Sequence, residues 1–316
     1  MARRVLLTGA TGFLGRHTRP VLERHYGAEN VISVGHADYD LMEPLQVERM
    51  FAEARPQVVV HFAAYSGGIG ANRAYPADFY FRNTVLTALT FAAAARHRVE
   101  KLLYPVSGCA YPADACSPIG EDQLGQGYPH VDSAAYSMAK MMGLVAARAY
   151  RAQHGLDTTV VIPGNIYGEY DNFHPLHSHV IPAMIRRYYE ATLNRLSRIE
   201  MWGSGRPERD FVHAGDIAKL VPYFIDEFEG IGPVNLSTST RTSIRTLAET
   251  IARLVAFKGE VFWDTTKPDG QMVKIFANER LKALKLACDT PLEDGLRRTI
   301  AWFARNYATG GDGLRL

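Results

Sequence analysis

Arg4-Val5-Leu6-Leu7-Thr8-Gly9-Ala10-Thr11-Gly12-Phe13-Leu14-Gly15 runs an aliphatic, β-branched segment straight into a glycine-spaced loop. The loop has the form G-x-x-G-x-x-G and opens at once into a helical pattern of Leu14, Thr18, Val21 and Leu22. Glycines at such positions permit a tight turn and the close approach of a pyrophosphate, which the helix N-terminus then stabilises. Gly9, Thr11, Gly12, Phe13, Leu14 and Gly15 are therefore candidate dinucleotide contacts. A simple strand-to-helix turn could use the same letters, so the reading leans on the rest of the chain.

Outward from that loop, strand and helix patterns alternate. Strands are expected at Val31–Val34, Val58–Phe62, Leu102–Val106 and Thr158–Ile162, and helices at Leu14–Arg24, Pro44–Ala54, Pro76–Arg96 and Ala134–His154. Near-continuous apolar strands separated by amphipathic helices imply a parallel sheet covered on both faces. The fold class is α/β: a doubly wound, Rossmann-type parallel sheet with a smaller mixed α/β C-terminal part. Residues 1–165 are expected to form the dinucleotide-binding domain and 166–316 mainly the substrate-binding part, with some segments returning to the first. A helix is expected from Val180 and a turn at Gly203-Ser204-Gly205, and the glycine-rich tail from Thr309 is expected to be mobile.

Three residues in the first half specify chemistry. Tyr136 and Lys140 stand four apart, which on a helix puts phenol and ammonium on one face. A phenol ordinarily titrates near 10, and a neighbouring cation pulls it toward neutrality. Ser107 follows the run Lys101-Leu102-Leu103-Tyr104-Pro105-Val106, which reads as a strand delivering its hydroxyl to a cleft. A hydroxyl and a phenol sharing one carbonyl oxygen suit the reduction of a ketone.

Composition agrees with an enzyme of small molecules. Among 316 residues, 35 Lys and Arg nearly balance 33 Asp and Glu, so no basic stripe recommends nucleic acid or a membrane surface. No apolar stretch approaches a membrane span, and no signal-peptide core precedes the first strand. Cys109, Cys116 and Cys288 are an odd set without framework spacing, which points to reduced thiols in a cytoplasmic setting.

With these residues in place, the chain resembles the extended short-chain dehydrogenase/reductases, and within them those that epimerise and reduce GDP-linked 4-keto sugars. The likeness is carried by Gly67-Gly68-Ile69 with Ala71-Asn72, Tyr75-Pro76-Ala77-Asp78-Phe79, Asp171-Asn172-Phe173-His174-Pro175 and Ser178-His179-Val180-Ile181-Pro182-Ala183. Trp202-Gly203-Ser204-Gly205, Arg209 and Lys267-Pro268-Asp269-Gly270 come next in order. It implies conversion of GDP-4-keto-6-deoxy-D-mannose to GDP-L-fucose by C3/C5 epimerisation and NADPH-dependent C4 reduction. It further implies that Cys109 and His179 move protons at C3 and C5 while Ser107, Tyr136 and Lys140 serve the reduction. Cofactor contacts are implied at Asp40, Leu41, Ala63, Ala64, Lys140, Pro163, Asn165 and Ile166. Substrate contacts are implied at Asn165, His179, Val180, Arg187, Trp202 and Arg209, and no metal is implied. Paired helices Pro76–Arg96 and Ala134–His154, rich in Phe79, Phe81, Val85, Leu89, Phe91, Met141, Met142, Leu144 and Val145, imply a homodimer.

Plainer readings stand beside these. Cys109 could be a small buried hydrophobe at a strand end. His174, His177 and His179 lack a Cys or acidic ligand cluster, and read as loop polar groups rather than metal ligands. Arg187 and Arg209 are either surface charges or diphosphate binders, and Trp202 is either core or a platform for the nucleotide. The chain also departs from the usual family pattern: Gly108 stands where the family usually has a second serine, Ala10-Thr11 replaces His-Arg, and Gly35-His36 stands where the family offers a basic residue. No Asp or Glu ends the second strand to take a ribose hydroxyl. NADP thus rests on the resemblance, and the residues alone leave NAD open. The alternatives are a C4 reductase of a GDP-4-keto-deoxyheptose and a non-catalytic dinucleotide-sensing regulator.

Overall fold

The computed structural model describes residues 3–230, 232–267, 269–311 and 313–316; Pro268, in the Lys267-Pro268-Asp269-Gly270 segment, lies outside the described residues. Six strands form the central sheet: β1 (Val5–Thr8), β2 (Val31–Val34), β3 (Val58–His61), β4 (Lys101–Pro105), β5 (Asp157–Pro163) and β6 (Val234–Leu236). Their spatial order is β2-β1-β3-β4-β5-β6, every pairing parallel. The helices are α1 (Phe13–Tyr26), α2 (Pro44–Ala54), α3 (Pro76–Arg96), α4 (Ala134–His154), α5 (Val180–Leu193), α6 (Ala214–Asp226), α7 (Ile244–Leu254) and α8 (Leu292–Thr309). Short single turns fill several of the connections.

Alternation along the strands explains the two-faced core. Leu6, Val59, Leu102 and Val160 turn to one face and meet Val47, Met50, Phe51, Phe91 and Leu144 of α2, α3 and α4. Their neighbours Val5, Leu7, Val58, Val60, Leu103 and Val161 turn to the other, against Leu22 of α1 and Ile217, Leu220, Val221 and Phe224 of α6. Each such side chain, taken fully out of water, stabilises the fold by ~1.5–3 kcal/mol. Local signals set the helix ends: Pro44 and Pro76 occupy first-turn positions, and Gly155 closes α4 in the left-handed region at φ 70°.

The first-half elements fall where the periodicity predicts, within a residue or two. The second half is shared between two layers. Residues 214–236 re-enter the first layer, α6 against α1 and β6 against β5, with no strand signal at Val234–Leu236 strong enough to read from the letters alone. The rest of that half builds its own core from Tyr167, Phe173, Ile185, Tyr188, Leu247, Leu296 and Phe303. The tail from Thr309 makes contacts of its own. Its Leu314 leans on that core, and the Arg315 carbonyl accepts the Phe173 N–H at 2.8 Å.

Candidate active site

The crevice lies where strand order reverses, between the carboxyl ends of β1 and β3. Gly9 there has φ 70°, and a Cβ on it would lie 2.6 Å from the Ala63 nitrogen. A Cβ on Gly15 would lie 2.1 Å from the Gly9 carbonyl oxygen, so α1 starts against the loop with no room for a side chain. Gly12 caps α1 and donates its N–H to the Gly9 oxygen at 3.0 Å. This cradle fits a dinucleotide pyrophosphate, with Phe13, Leu14 and Gly15 supplying the first helical N–H groups. Thr11 is exposed beside Gly35, whose hypothetical Cβ would meet its Oγ1 at 2.6 Å. The sequence placed no acidic side chain at the end of β2. Four residues beyond that strand, Asp38 turns back and accepts the Gly35 N–H at 2.7 Å.

Other expected cofactor positions are unequal. Leu41 is buried in the core, and Asp40 spends one carboxylate oxygen on the Met42 N–H at 2.9 Å. Ala63 donates its N–H to Thr8 Oγ1 at 3.3 Å, and Ala64 is exposed beside it. Pro163 ends β5. Asn165 and Ile166 begin a short strand, Asn165–Tyr167, paired with Phe211–His213, and the Asn165 amide donates to the Asp210 carbonyl at 2.8 Å.

Ser107, Cys109 and Tyr136 converge. Just beyond β4, Ser107 caps a single turn, Gly108–Ala110, and its Oγ accepts the Cys109 N–H at 3.1 Å. The Cys109 carbonyl in turn accepts Ser137 Oγ from α4 at 3.0 Å, tying the thiol's backbone to the helix of Tyr136. The Tyr136 phenol is within hydrogen-bonding reach of Ser107 and lies in the field of Cys109, with Phe79 edge-on to its ring at 5.9 Å. Burial pushes that phenol well above its usual value, and Ser107 only partly offsets the rise. This revises the expectation that Lys140 draws it down. The lysine is itself buried, and burial lowers it to about 7. Its ammonium lies over the face of Tyr104.

His179 comes from another segment, as the cap residue of α5. Beneath it Asp171 is buried, its carboxyl raised by burial and lowered in part by His179. The loop before His179 docks backbone to backbone on the loop after β3: a Cβ on Gly68 would lie 2.1 Å from the Ser178 oxygen, and one on Gly70 2.3 Å from the Leu176 oxygen. Gly68 also donates to the His177 carbonyl at 2.8 Å. A Cβ on Gly67 would lie 3.4 Å from Phe79 Cζ, and the Phe79 ring stands edge-on to Tyr136, so the loop that carries the His179 segment lies near the phenol. His174 is spent locally, its Nδ1 accepting the Leu176 and His177 N–H groups at 3.2 Å.

Arg209 is half-buried, its guanidinium lowered by burial and favoured by the field of Cys109 beside it. Arg187 is exposed and spends one nitrogen on the Glu200 carbonyl at 2.7 Å. Trp202 is 68 % exposed, which removes the core reading, and Lys267 lies 5.9 Å from its ring. Val180 opens α5 next to His179.

Two features went unread in the sequence. A Cβ on Gly108 would lie 2.5 Å from Phe276 Cζ, so the departure from a second serine is a packing demand made by a residue far away in the chain. Glu169 accepts from His213 Nε2 at 3.0 Å, while His213 Nδ1 accepts the Gly215 N–H at 3.0 Å and so fixes the tautomer. His17 of α1 meets the Glu169 carbonyl at 3.0 Å, and this triad fastens the cofactor helix to the segment leading to the substrate loop.

A dinucleotide cradle in a chain that also brings together a serine–tyrosine–lysine set defines an NAD(P)-linked dehydrogenase/reductase class of the doubly wound fold. The family model for the NAD dependent epimerase/dehydratase family matches residues 5–236, and the chain belongs to that family. It is 37% identical over 303 residues to putative GDP-L-fucose synthase 2 of Arabidopsis thaliana, covering 96% of this chain and 92% of the relative. It is also 37% identical to the GDP-L-fucose synthase of Escherichia coli K12, covering 96% and 97%. Among solved structures, a GDP-L-fucose synthetase from Naegleria fowleri bound to NADP superposes with a TM-score of 0.88 at 28% identity, covering 96% and 95%.

Proposed function

We propose that this chain converts GDP-4-keto-6-deoxy-D-mannose to GDP-L-fucose. The observation that carries the reading is the convergence of thiol, hydroxyl and phenol at the carboxyl edge of β4, in a chain similar over nearly its whole length to GDP-L-fucose synthases. C3 and C5 both flank the C4 ketone, so loss of either proton gives an enolate whose oxygen Ser107 and Tyr136 stabilise. Cys109 and His179, reaching the sugar from different segments, remove a proton on one face and return one on the other, which inverts the centre. Bound NADPH supplies the hydride equivalent that C4 gains. Tyr136, kept protonated by burial, gives its proton to the C4 oxygen, and Lys140, one turn on in the same helix, releases its own proton more readily because burial lowers it. Gly9, Gly12 and the first turn of α1 hold the pyrophosphate, while Thr11 and His36 stand at the adenosine end. Arg187, Arg209 and Trp202 take the GDP moiety.

The reading extends to assembly and place. Tyr80, Phe81, Met138, Met142 and Val145 leave an exposed apolar stripe on α3 and α4, although Phe79, Phe91 and Leu144 are spent on the core. Two copies joined through that stripe form the homodimer we infer, working in the cytoplasm. No described helix is long and apolar enough to cross a membrane.

The test is NADPH oxidation by the purified protein with GDP-, UDP- and dTDP-linked 4-keto-6-deoxy sugars and a GDP-4-keto-deoxyheptose in parallel. The GDP-deoxymannose ketone is expected to turn over fastest. Equal or better turnover of the dTDP sugar would overturn the guanine assignment, and preference for the heptose would move the chain to a different reductase.

A further inference from the structure

Tyr104 of β4 lies three residues before Ser107 and is fully buried. Its ring face carries the Lys140 ammonium 4.2 Å from the centroid. Neighbours fix the ring. Its hydroxyl shares a 2.8 Å hydrogen bond with Thr87 Oγ1 of α3, His61 of β3 stacks at 5.9 Å with the planes 11° apart, and Phe91 tilts against it at 5.6 Å.

On the helix side sits Gly143, one turn beyond Lys140 in α4. A Cβ there would lie 2.1 Å from Tyr104 Cε1 and 2.3 Å from Cζ. Glycine weakens a helix interior, and this one lies within a regular helix, so space rather than backbone freedom accounts for it. The gap admits the flat of the tyrosine directly under the lysine stem.

Among the described residues no carboxylate pairs with Lys140. The titratable groups facing it are His61 from β3, Tyr104 from β4 and Tyr136 on its own helix. His61 is held down to about 3 by burial and then by Lys140, so it is neutral and adds no competing charge. Its Nδ1 is joined to Thr8 Oγ1 at 2.9 Å. A buried ammonium without a counter-ion needs a compensating field, and an aromatic face supplies one.

We propose that Tyr104 is a positioning residue for Lys140: its ring, admitted by Gly143, is the seat that favours the charged form of a buried lysine against desolvation and holds the ammonium in place. This rests on the role of Lys140 in the proposed reduction. The test titrates Lys140 by NMR of carbon-13-labelled lysine in the NADP-bound protein, its signal assigned by loss in Lys140→Met. Tyr104→Leu is expected to move the titration midpoint down by about one pH unit, the size of a desolvated cation–π contact. The alkaline limit of the reduction rate moves down with it. Tyr104→Phe, which keeps the ring, leaves the midpoint in place. Gly143→Ala, which drives a Cβ into the ring, moves it in the same direction as Tyr104→Leu and serves if the leucine variant does not fold. A midpoint unmoved in folded Tyr104→Leu or Gly143→Ala overturns the proposal, as does a shift in Tyr104→Phe equal to that in the leucine variant. Reduction surviving Lys140→Met would instead remove the role of the lysine, a result the titration reads separately.

Discussion

Gly108→Ser introduces the second serine that the family resemblance leads one to expect before Cys109, and the structure predicts that it damages this protein. The new Cβ would stand 2.5 Å from Phe276 Cζ, about 0.9 Å short of the 3.4 Å of ordinary contact. Phe276 has little room to retreat. It is 1 % exposed, its carbonyl accepts Ser237 Oγ at 2.9 Å, and Ile275 and Ala277 on either side bond the backbone of Ile119 at 2.8 and 3.0 Å. Overpacking of this kind costs ~1–3 kcal/mol. Phe276→Leu alone opens a modest cavity, with a cost of roughly 1–2 kcal/mol against the ~3–5 of a truncation to alanine. Because the two substitutions relieve one another, the double variant should be less destabilised than the sum by ~1–2 kcal/mol. Urea unfolding at constant m reads all four proteins. Ser107 and Cys109 flank the glycine, so Gly108→Ser should also lower turnover by about tenfold to a hundredfold through misplacement. A Gly108→Ser protein as stable as the parent, with no coupling to position 276, would refute the packing argument.

In heavy water without NADPH, Cys109→Ser and His179→Gln should each lose deuterium incorporation at C3 or C5 by on the order of a hundredfold while still binding NADP, and Tyr136→Phe should lose reduction but keep part of the exchange. Undiminished exchange in Cys109→Ser would make the thiol a packing residue. Burial works to raise the Glu169 carboxyl, but the His213 hydrogen bond and neighbouring charge hold it at about 2, below its ordinary 4.5. The native state therefore favours the carboxylate, and its stabilisation, ~3 kcal/mol, is whole above pH 4.5 and drains as pH falls toward 2. Glu169→Gln should flatten acid unfolding across that window; an unchanged acid limb counts against the triad. Light scattering should give a dimer mass across micromolar dilution, with Phe81→Glu shifting it toward the monomer, and a monomeric parent would sink the apolar-stripe assembly.

What was legible in the sequence depended on periodicity and short-range spacing. β1, the glycine loop and α1 could be read because one run supplies strand, turn and helix signals in succession, and α3 and α4 because proline and glycine mark their ends. Ser107, Tyr136 and Lys140 announced themselves by type and order. β6 did not, since three residues carry too little pattern. Contacts between distant segments were equally silent: Phe276 on Gly108, Tyr104 under Lys140, and Gly68 against Ser178 each join residues whose adjacency no local rule specifies. Protonation also depended on the fold, because burial, invisible in a string of letters, governs Tyr136 more than the lysine four residues away.

The late arrival of β6 bears on how the chain must be made. Until Val234–Leu236 is in place, β5 lacks its outer partner along Val161–Pro163, the three residues that β6 pairs. Such an edge is a template for another chain. During synthesis, residues 164–233 must emerge before that edge can be covered, so the nascent molecule carries an adhesive flank through that interval. A fragment ending near residue 165 would keep that flank permanently. It should gather into aggregates rather than behave as a freestanding nucleotide-binding module, even though it contains the glycine loop, Ser107, Tyr136 and Lys140.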